Sequence, residues 1–463
     1  MRPFWLEQAL LGDTDLAPAL RGTHQADICI VGGGFTGLWT ALQLKRKRPS
    51  ARITILEADI CGAGASGRNG GCMLTWSTKL FTLTRLFGEA EAMRLVRASE
   101  DAIPAIADFC RLHGIDADLR MDGTIYTATN PAQEGLLDPV VKALEDWGLN
   151  SWQRLSSGEV ATRTGSARNR SGFYSPLAGT VHPGKLVRGL RRVALSQGID
   201  IHERSPMISV VDAARPAVVT PSGRVEADHV VLALNAWMPT LFPQFERSVA
   251  IVSSDMIMTD RCPDLLASIG LDHGTSVLDS RTFVYYYRTT CDGRLMLGKG
   301  GNTFSYRGRI VPVFNQASPY ETMLTQSLRA FFPALSDVPV IASWNGPSDR
   351  SSTGFPFFGY LNGNRAISYG FGYSGNGVAP SYMGGQMLSS LALGEDNAWT
   401  RSGLAKGPRG QFPPEPVRYL GSLLVRNAIR RKESAEDRHT EPFLLDKFLA
   451  RFAQAAGKAD KVA

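Results

Sequence analysis

The chain lacks most of the features that would place it outside the soluble globular class. No apolar run approaches the ~18 residues needed to span a bilayer. The N-terminal stretch Met1-Arg-Pro-Phe-Trp-Leu-Glu-Gln8 has no apolar segment followed by a small-residue cleavage site, so the cytoplasm is the expected location. Its six cysteines, Cys29, Cys61, Cys72, Cys110, Cys262 and Cys291, are scattered. None forms a C-x-x-C, which argues against a zinc knuckle and a dithiol redox pair, and no metal is expected. Internal repeats and low-complexity tracts are also missing. Acid is in deficit, with 43 Asp and Glu against 50 Lys and Arg, a net charge of +7. Such a balance reads as an arginine-rich surface or as a field that steers an anionic substrate. No nucleic-acid recognition motif accompanies it, and no nucleic-acid partner is expected.

What is present begins with length. A chain of 463 residues is too long for one simple core and predicts two domains. Asp27-Ile-Cys-Ile-Val31 is a short apolar run that suits a buried parallel strand. Gly32, Gly34 and Gly37 follow at the spacing of a dinucleotide fingerprint. The first allows a tight turn, the second lets backbone approach a pyrophosphate, and the third lets the next helix pack on the sheet. Leu38 to Lys45 reads as that helix, with its free N–H groups toward the diphosphate. Ile53 to Leu56 is the next strand. Glu57 at its tip is placed to bond the ribose hydroxyls, and its charge argues against NADP. Phe35, Thr36 and Ala58 sit on the same two turns and join them as expected cofactor contacts. A lone glycine turn is weak evidence. Strand, turn, helix, strand and acid in order within ~30 residues make one βαβ unit.

The loop that follows decides which dinucleotide. Gly62-Ala-Gly64-Ala65-Ser66-Gly-Arg68-Asn69-Gly70-Gly71 is a run of small residues with one fixed charge. An NAD enzyme has no need of it directly after the ribose acid. FAD continues past the pyrophosphate to the ribityl chain and ring, and small residues let backbone amides reach those groups. Arg68 is placed to face a phosphate or the flavin edge. On these residues the chain resembles the FAD-dependent D-amino-acid-oxidase-like superfamily, which includes glycine, sarcosine and γ-glutamylputrescine oxidases. The wording Ala65-Ser-Gly-Arg-Asn-Gly-Gly71 is most like the γ-glutamylputrescine-oxidase-like branch. The resemblance implies FAD, held without a covalent bond unless Cys72 supplies a thioether.

The expected fold class is α/β. A doubly wound, glutathione-reductase-like FAD domain takes residues 26–85, 155–240 and 342–395. A substrate domain takes 86–154 and 241–341, built on a mainly antiparallel sheet plus helices. Residues 1–25 read as an extended arm packed down by Phe4 and Trp5, and 396–463 as a helical tail. In that tail Val417 to Lys432 reads as a covering helix with a solvated charged face. Pro183 near the first position of a helix makes His182 its expected cap, with acid–base chemistry the alternative.

The resemblance carries further contacts onto single positions. Met207 matches a segment whose backbone meets adenine. Asn235 and Ala236 match the second approach to the pyrophosphate, where the family often has Gly in place of Asn235. Gly372-Tyr373-Ser374-Gly375-Asn376-Gly377-Val378 resembles the flavin-end motif, with Asn376 where His is common. A glycine-rich turn opening a helix puts N–H groups on the flavin's N1–C2 edge, which becomes negative on reduction. Arg350, just before this region, is a candidate clamp for a carboxylate or phosphonate, with a structural salt bridge near Asp349 as the other reading. Asp349 is a candidate selector for a second cation, as a polyamine would carry. Tyr285 to Arg288 forms one arm of a hairpin around Asp292-Gly293. Alternation puts Tyr285 and Tyr287 on one face and Tyr286 and Arg288 on the other, without saying which meets the flavin. Tyr287 and Trp76 are candidate pocket walls, with core packing as the alternative for each.

The reaction that the resemblance implies is hydride transfer from the carbon beside an amine to flavin N5. The product is an imine that hydrolyses to an aldehyde or oxo acid, and oxygen or a quinone reoxidises the flavin. The expected substrate is an amine, amino acid, polyamine or aminophosphonate. Two other readings stay open: a flavin hydroxylase, which shares the first βαβ unit, and, as a non-enzyme reading, an FAD-bearing subunit of a larger dehydrogenase. The sequence leaves oligomeric state open.

Overall fold

A computed structural model describes residues 2–149, 151–456 and 459–460, and positions 457–458 and 461–463 of the expected tail lie outside them. Two eight-stranded sheets organise the chain. The first has five parallel strands in the order Ile367–Phe371, Gly223–Leu232, Gly22–Val31, Ile53–Leu56, Asp200–His202. Phe357–Tyr360 closes one edge antiparallel, and a small meander (Ser209–Val211, Ala217–Val219) rides on Gly223–Leu232. The central strands are apolar and buried on both sides because helices Phe35–Lys47, Pro183–Ser196 and Pro380–Ala392 cover them.

The second sheet runs Val340–Ser351, Val249–Thr259, Leu295–Phe304, Tyr285–Thr289, Ser276–Asp279, Thr124–Ala128, Ser171–Ser175, Gln153–Leu155. All pairs are antiparallel except Ser276–Asp279 with Thr124–Ala128. The doubly wound sheet beside a mainly antiparallel one is the expected α/β architecture. The crossing points are shifted, however. Ser171–Ser175 falls within the expected 155–240 segment, yet it pairs with Thr124–Ala128 in the second sheet. Val340–Ser351 falls largely within 342–395, yet it pairs with Val249–Thr259. Apolar patterning identifies a strand. Its partner is a long-range choice that local patterning does not encode.

The N-terminal arm is not extended. Phe4–Leu11 is a helix, with Trp5 buried against His182 and Trp344, and Leu6 against Ile60 and Ala63. Behind it Arg188 bonds Asp13 and Glu203, and Arg191 bonds Glu203, all four side chains buried. Glu203 also accepts from the N–H groups of Ala17 and Cys61, so one buried carboxylate ties the arm to the loop after Glu57. His182 caps Pro183–Ser196 by accepting from Lys185 N–H, the structural role.

Helix Val417–Asp437 does cover the second sheet, with Arg426 and Arg430 both bonding Asn302. Its outward face is not simply charged, because Val417, Leu420 and Leu424 are exposed at helical spacing. No helix among the described residues is long and apolar enough to cross a membrane.

Candidate active site

Between the two sheets lies a cavity, partly open to solvent and lined by residues of both. Phe35, Thr36, Ala65, Ser66, Arg68, Asn69, Gly70, Asn235, Tyr373, Gly375, Gly377 and Val378 line it, so both glycine turns face one space. A hydrogen bond of 3.0 Å from Thr36 Oγ1 to Tyr373 Oη joins them directly.

The nucleotide end fits an ADP group. Gly34 caps helix Phe35–Lys47, and Ser66 Oγ accepts from Phe35 N–H. A Cβ on Gly37 would sit 1.9 Å from the Gly32 carbonyl oxygen, so only glycine lets this helix start so close to the strand end. Glu57 accepts from Gly33 N–H at 2.8 Å and from Asp59 N–H at 3.0 Å. One bond falls on each carboxylate oxygen, which leaves a lone pair on both for a ribose diol. Burial pushes its carboxyl up, opposed by those same N–H groups. Ala58 is exposed beside it, and Met207 is packed with Val31 and Leu56 in the core.

The small-residue loop is braced from within. Asn69 donates to the Ala65 and Ser66 carbonyls and accepts from Gly71 N–H. Arg68 lines the cavity and also braces the loop. Its guanidinium donates through Nε and Nη1 to the carbonyls of Ala63, Phe314 and Asn345, which ties the loop to the second sheet. A buried arginine is stable only with such acceptors, and a loop of small residues leaves carbonyls within its reach. At Asn235 φ is +48°, the left-handed region that glycine favours and asparagine tolerates. Its Oδ1 accepts from its neighbour Ala236 N–H. A Gly-to-Asn exchange at this position therefore keeps the turn.

The flavin-end turn holds an unexpected carboxyl group. Asp349, on strand Val340–Ser351, accepts from Gly372 N–H. Burial pushes its carboxyl up to about 7, while N–H groups of Gly372, Asp349, Ser374 and Tyr373 hold it down. Gly372, Ser374 and Gly375 all have positive φ, which turns successive N–H groups to one side. Part of the donor set expected for the flavin edge is thus spent on a side chain of this chain. Arg350 pairs with Tyr373 in an isolated bridge, and Ser351 N–H donates to Ser374 Oγ, so strand and turn form one unit. Asn376 bonds the Thr75 carbonyl through Nδ2, while its Oδ1 is buried and makes no hydrogen bond among the described residues.

Beyond this turn Arg350 lines the cavity with Ser254, Met256, Thr282, Val284, Tyr286 and Ser348. Two sequence candidates do not. Tyr287 points to the other face of its strand, donating to the Thr164 carbonyl and accepting from Asn169 inside the core. Trp76 is 3% exposed and packs edge-on against Phe355. Tyr286 takes the place expected of Tyr287, with its Oη 2.9 Å from Ser254 Oγ. Arg288, on the Tyr286 face, donates to the Gly70 carbonyl and stacks over Trp5. Ser254, Met256, Thr282 and Ser348 carry no local motif, and only the pairing of distant strands brings them together. Cys72 also lines the cavity, with Sγ directed at the Gly70 carbonyl.

The FAD dependent oxidoreductase family model (DAO) matches residues 27–391. The gamma-glutamylputrescine oxidoreductase of Escherichia coli is 28% identical over 389 residues, 84% of this chain and 88% of that protein. A probable oxidoreductase OrdL of Rhizobium meliloti is 29% identical over 430 residues, 91% and 94% of the two chains. Among solved structures, glycine oxidase from Geobacillus kaustophilus superposes with a TM-score of 0.70 at 24% identity, covering 84% of this chain and all of that one. With both glycine turns on one cavity and a match spanning most of the sequence, the chain belongs to the DAO family of FAD-dependent oxidoreductases.

Proposed function

We propose that the protein oxidises the C–N bond of an amine or amino acid, within the branch that includes gamma-glutamylputrescine oxidoreductase. Bound FAD would supply the hydride acceptor, taking hydride at N5 from the carbon beside the nitrogen, with an imine as product. The residues of the chain do the rest. Gly33 and Asp59 N–H groups orient Glu57 for the ribose, and the N-terminus of helix Phe35–Lys47 favours the diphosphate. The turn Gly372–Val378 and the start of helix Pro380–Ala392 put positive potential at the far end, where reduction builds negative charge. Met256 and Val284 exclude water from the reacting carbon, and Arg350 orients the substrate by an anionic group.

The single observation that carries this reading is the shared cavity. The two glycine turns, about 340 residues apart in sequence, meet across the Thr36–Tyr373 hydrogen bond. It is tested by anaerobic bleaching of the purified yellow protein with a panel of amines, amino acids, polyamines and aminophosphonates. Bleaching by an amine without NADPH supports the proposal, and bleaching by NADPH alone supports a hydroxylase instead. Reoxidation of the bleached protein by oxygen or by a soluble quinone then identifies the acceptor. The expected cytoplasmic location stays part of this proposal and is read by fractionation.

A further inference from the structure

The C-terminal hairpin presents an apolar face outside the cavity. Eight of the twenty exposed large apolar side chains among the described residues fall between Val417 and Phe452. Singly exposed apolar side chains are ordinary, but a cluster of them marks an interaction surface. Val417 and Leu424 are two turns apart on helix Val417–Asp437, and Arg431 lies two turns further along the same stripe. There Arg431 bonds Asp446 of a second, short helix, Leu444–Ala450. Asp446 is buried, which turns Leu445 and Phe448 of that helix outward. Phe448 and Phe452 meet edge-on with ring centroids 5.5 Å apart. Phe443 and Leu444, just before them, are 80% and 82% exposed.

Cations rim this face. Arg431, Arg438 and Arg451 are exposed, and Arg451 lies about one turn after Phe448. The carboxylates of the hairpin are held in other contacts. Asp437 bonds Arg281 on the body and Glu433 accepts from Thr282 N–H, while Glu436 pairs with Lys432 and Glu441 with Lys447. Asp446 lies buried beneath Arg431, whose side chain is 57% exposed, so that pair turns its cation outward. Arg438 bonds the Ser434 hydroxyl, and neither Arg438 nor Arg451 forms an ion pair among the described residues. A second copy of the chain would set these arginines against their own images, which is repulsive. Phenylalanine and leucine flanked by arginine match instead the boundary between lipid headgroups and acyl chains. We propose that this hairpin docks on a bilayer surface rich in anionic phospholipid, with the segment from Phe443 to Phe452 at the acyl boundary and the three arginines on headgroup phosphates. The face lies on the surface of the fold, so the attachment is peripheral. Thr282, whose N–H the hairpin's Glu433 accepts, lines the cavity, and docking therefore holds that wall near the bilayer.

The deciding experiment is co-sedimentation of the holoenzyme with phosphatidylcholine vesicles, with and without phosphatidylglycerol, at low and at high salt. Binding is expected to be about 10-fold or more tighter with phosphatidylglycerol, and high salt is expected to remove that preference. Phe448→Ser combined with Phe452→Ser is expected to weaken vesicle binding about 10-fold or more. Melting temperature and flavin content should stay those of the wild type, because both rings are exposed. Arg438→Gln combined with Arg451→Gln should cut the phosphatidylglycerol preference about 5-fold or more and leave binding to neutral vesicles unchanged. Wild-type protein that stays off both kinds of vesicle, or binds them equally at low salt, overturns the proposal. A dimer that the phenylalanine substitutions dissociate, without vesicle binding, assigns the face to a second copy and overturns it too. Binding of RNA in place of vesicles does the same in favour of nucleic acid. Amine oxidation is scored separately by flavin bleaching, so the oxidoreductase reading stands or falls independently of these results.

Discussion

The nucleotide cleft and the substrate wall face each other across one cavity but are built by opposite means. The cleft is local. Gly32, Gly34, Gly37 and Glu57 fall within one βαβ unit, and each acts through the backbone or through a carboxylate held by neighbouring N–H groups. The wall is assembled from strands far apart in the chain. Ser254, Tyr286, Gly300 and Arg350 come from four strands of the second sheet, placed by cross-strand register. Substitutions in the cleft should therefore remove cofactor and fold together, whereas substitutions in the wall should change substrate choice and leave the flavin in place.

The largest test of that contrast is Gly37→Ala. With a Cβ 1.9 Å from a backbone oxygen, the helix cannot pack, and the variant should be colourless or insoluble. A yellow, stable variant would break the account of the cleft. Next is Glu203→Gln, which leaves Arg188 and Arg191 without their shared buried carboxylate. It should cost about 3 to 5 kcal/mol in denaturant unfolding, because the buried Arg191 then keeps only the exposed Asp15 as a charged partner.

Asp349→Asn sharpens the comparison, since this residue belongs to a wall strand but serves a cofactor turn. Its carboxyl is raised in the folded protein to about 7 from an ordinary 3.8. Stability from this group is full below the ordinary value and is lost as pH rises through about 7. The wild-type apoprotein should lose stability relative to Asp349→Asn across that window. The upper limit of the loss is about 1.4 kcal/mol for each tenfold weakening of the acid on folding. A pH-independent difference between the two would contradict this assignment.

Tyr287→Phe against Tyr286→Phe separates the two faces of one strand. The first should lower stability by about 1 to 3 kcal/mol with kcat/KM unchanged, because Asn169 and the Thr164 carbonyl lose a partner. The second should raise KM with little change in melting. The smallest effect is expected for Asn235→Gly. Relief of the positive φ offsets loss of the Oδ1 bond to Ala236 N–H, leaving stability within about 1 kcal/mol of wild type and the flavin bound.

What is legible in the sequence follows the same division. The fingerprint, the acid after the second strand and the glycine turn at 372–378 are short patterns whose chemistry depends on backbone, so they read directly. The hairpin around Asp292-Gly293 reads for the same reason, as does the His182 cap. Alternation places Tyr286 and Tyr287 on opposite faces, but which face meets the cavity depends on what packs behind, here Phe331 and Phe332 against Tyr287. Trp76 fails as a pocket residue because a large aromatic beside a loop fits a core equally well. Arg68 reads from the sequence as a cavity residue, and it lines the cavity, but its bonds to the carbonyls of residues 314 and 345 are invisible locally. The helix Phe4–Leu11 is hidden by its shortness, since its stability comes from docking against Trp344 and Ile60 rather than from propensity.

The most direct test of the central claim is titration of FAD into the apoprotein, followed by visible absorption, with Thr36→Val and Tyr373→Phe alongside the wild type. One cavity gripped by both turns predicts stoichiometric uptake by the wild type and weaker uptake when either partner of the Thr36–Tyr373 bond is removed. Wild-type protein that stays colourless at saturating FAD would contradict it.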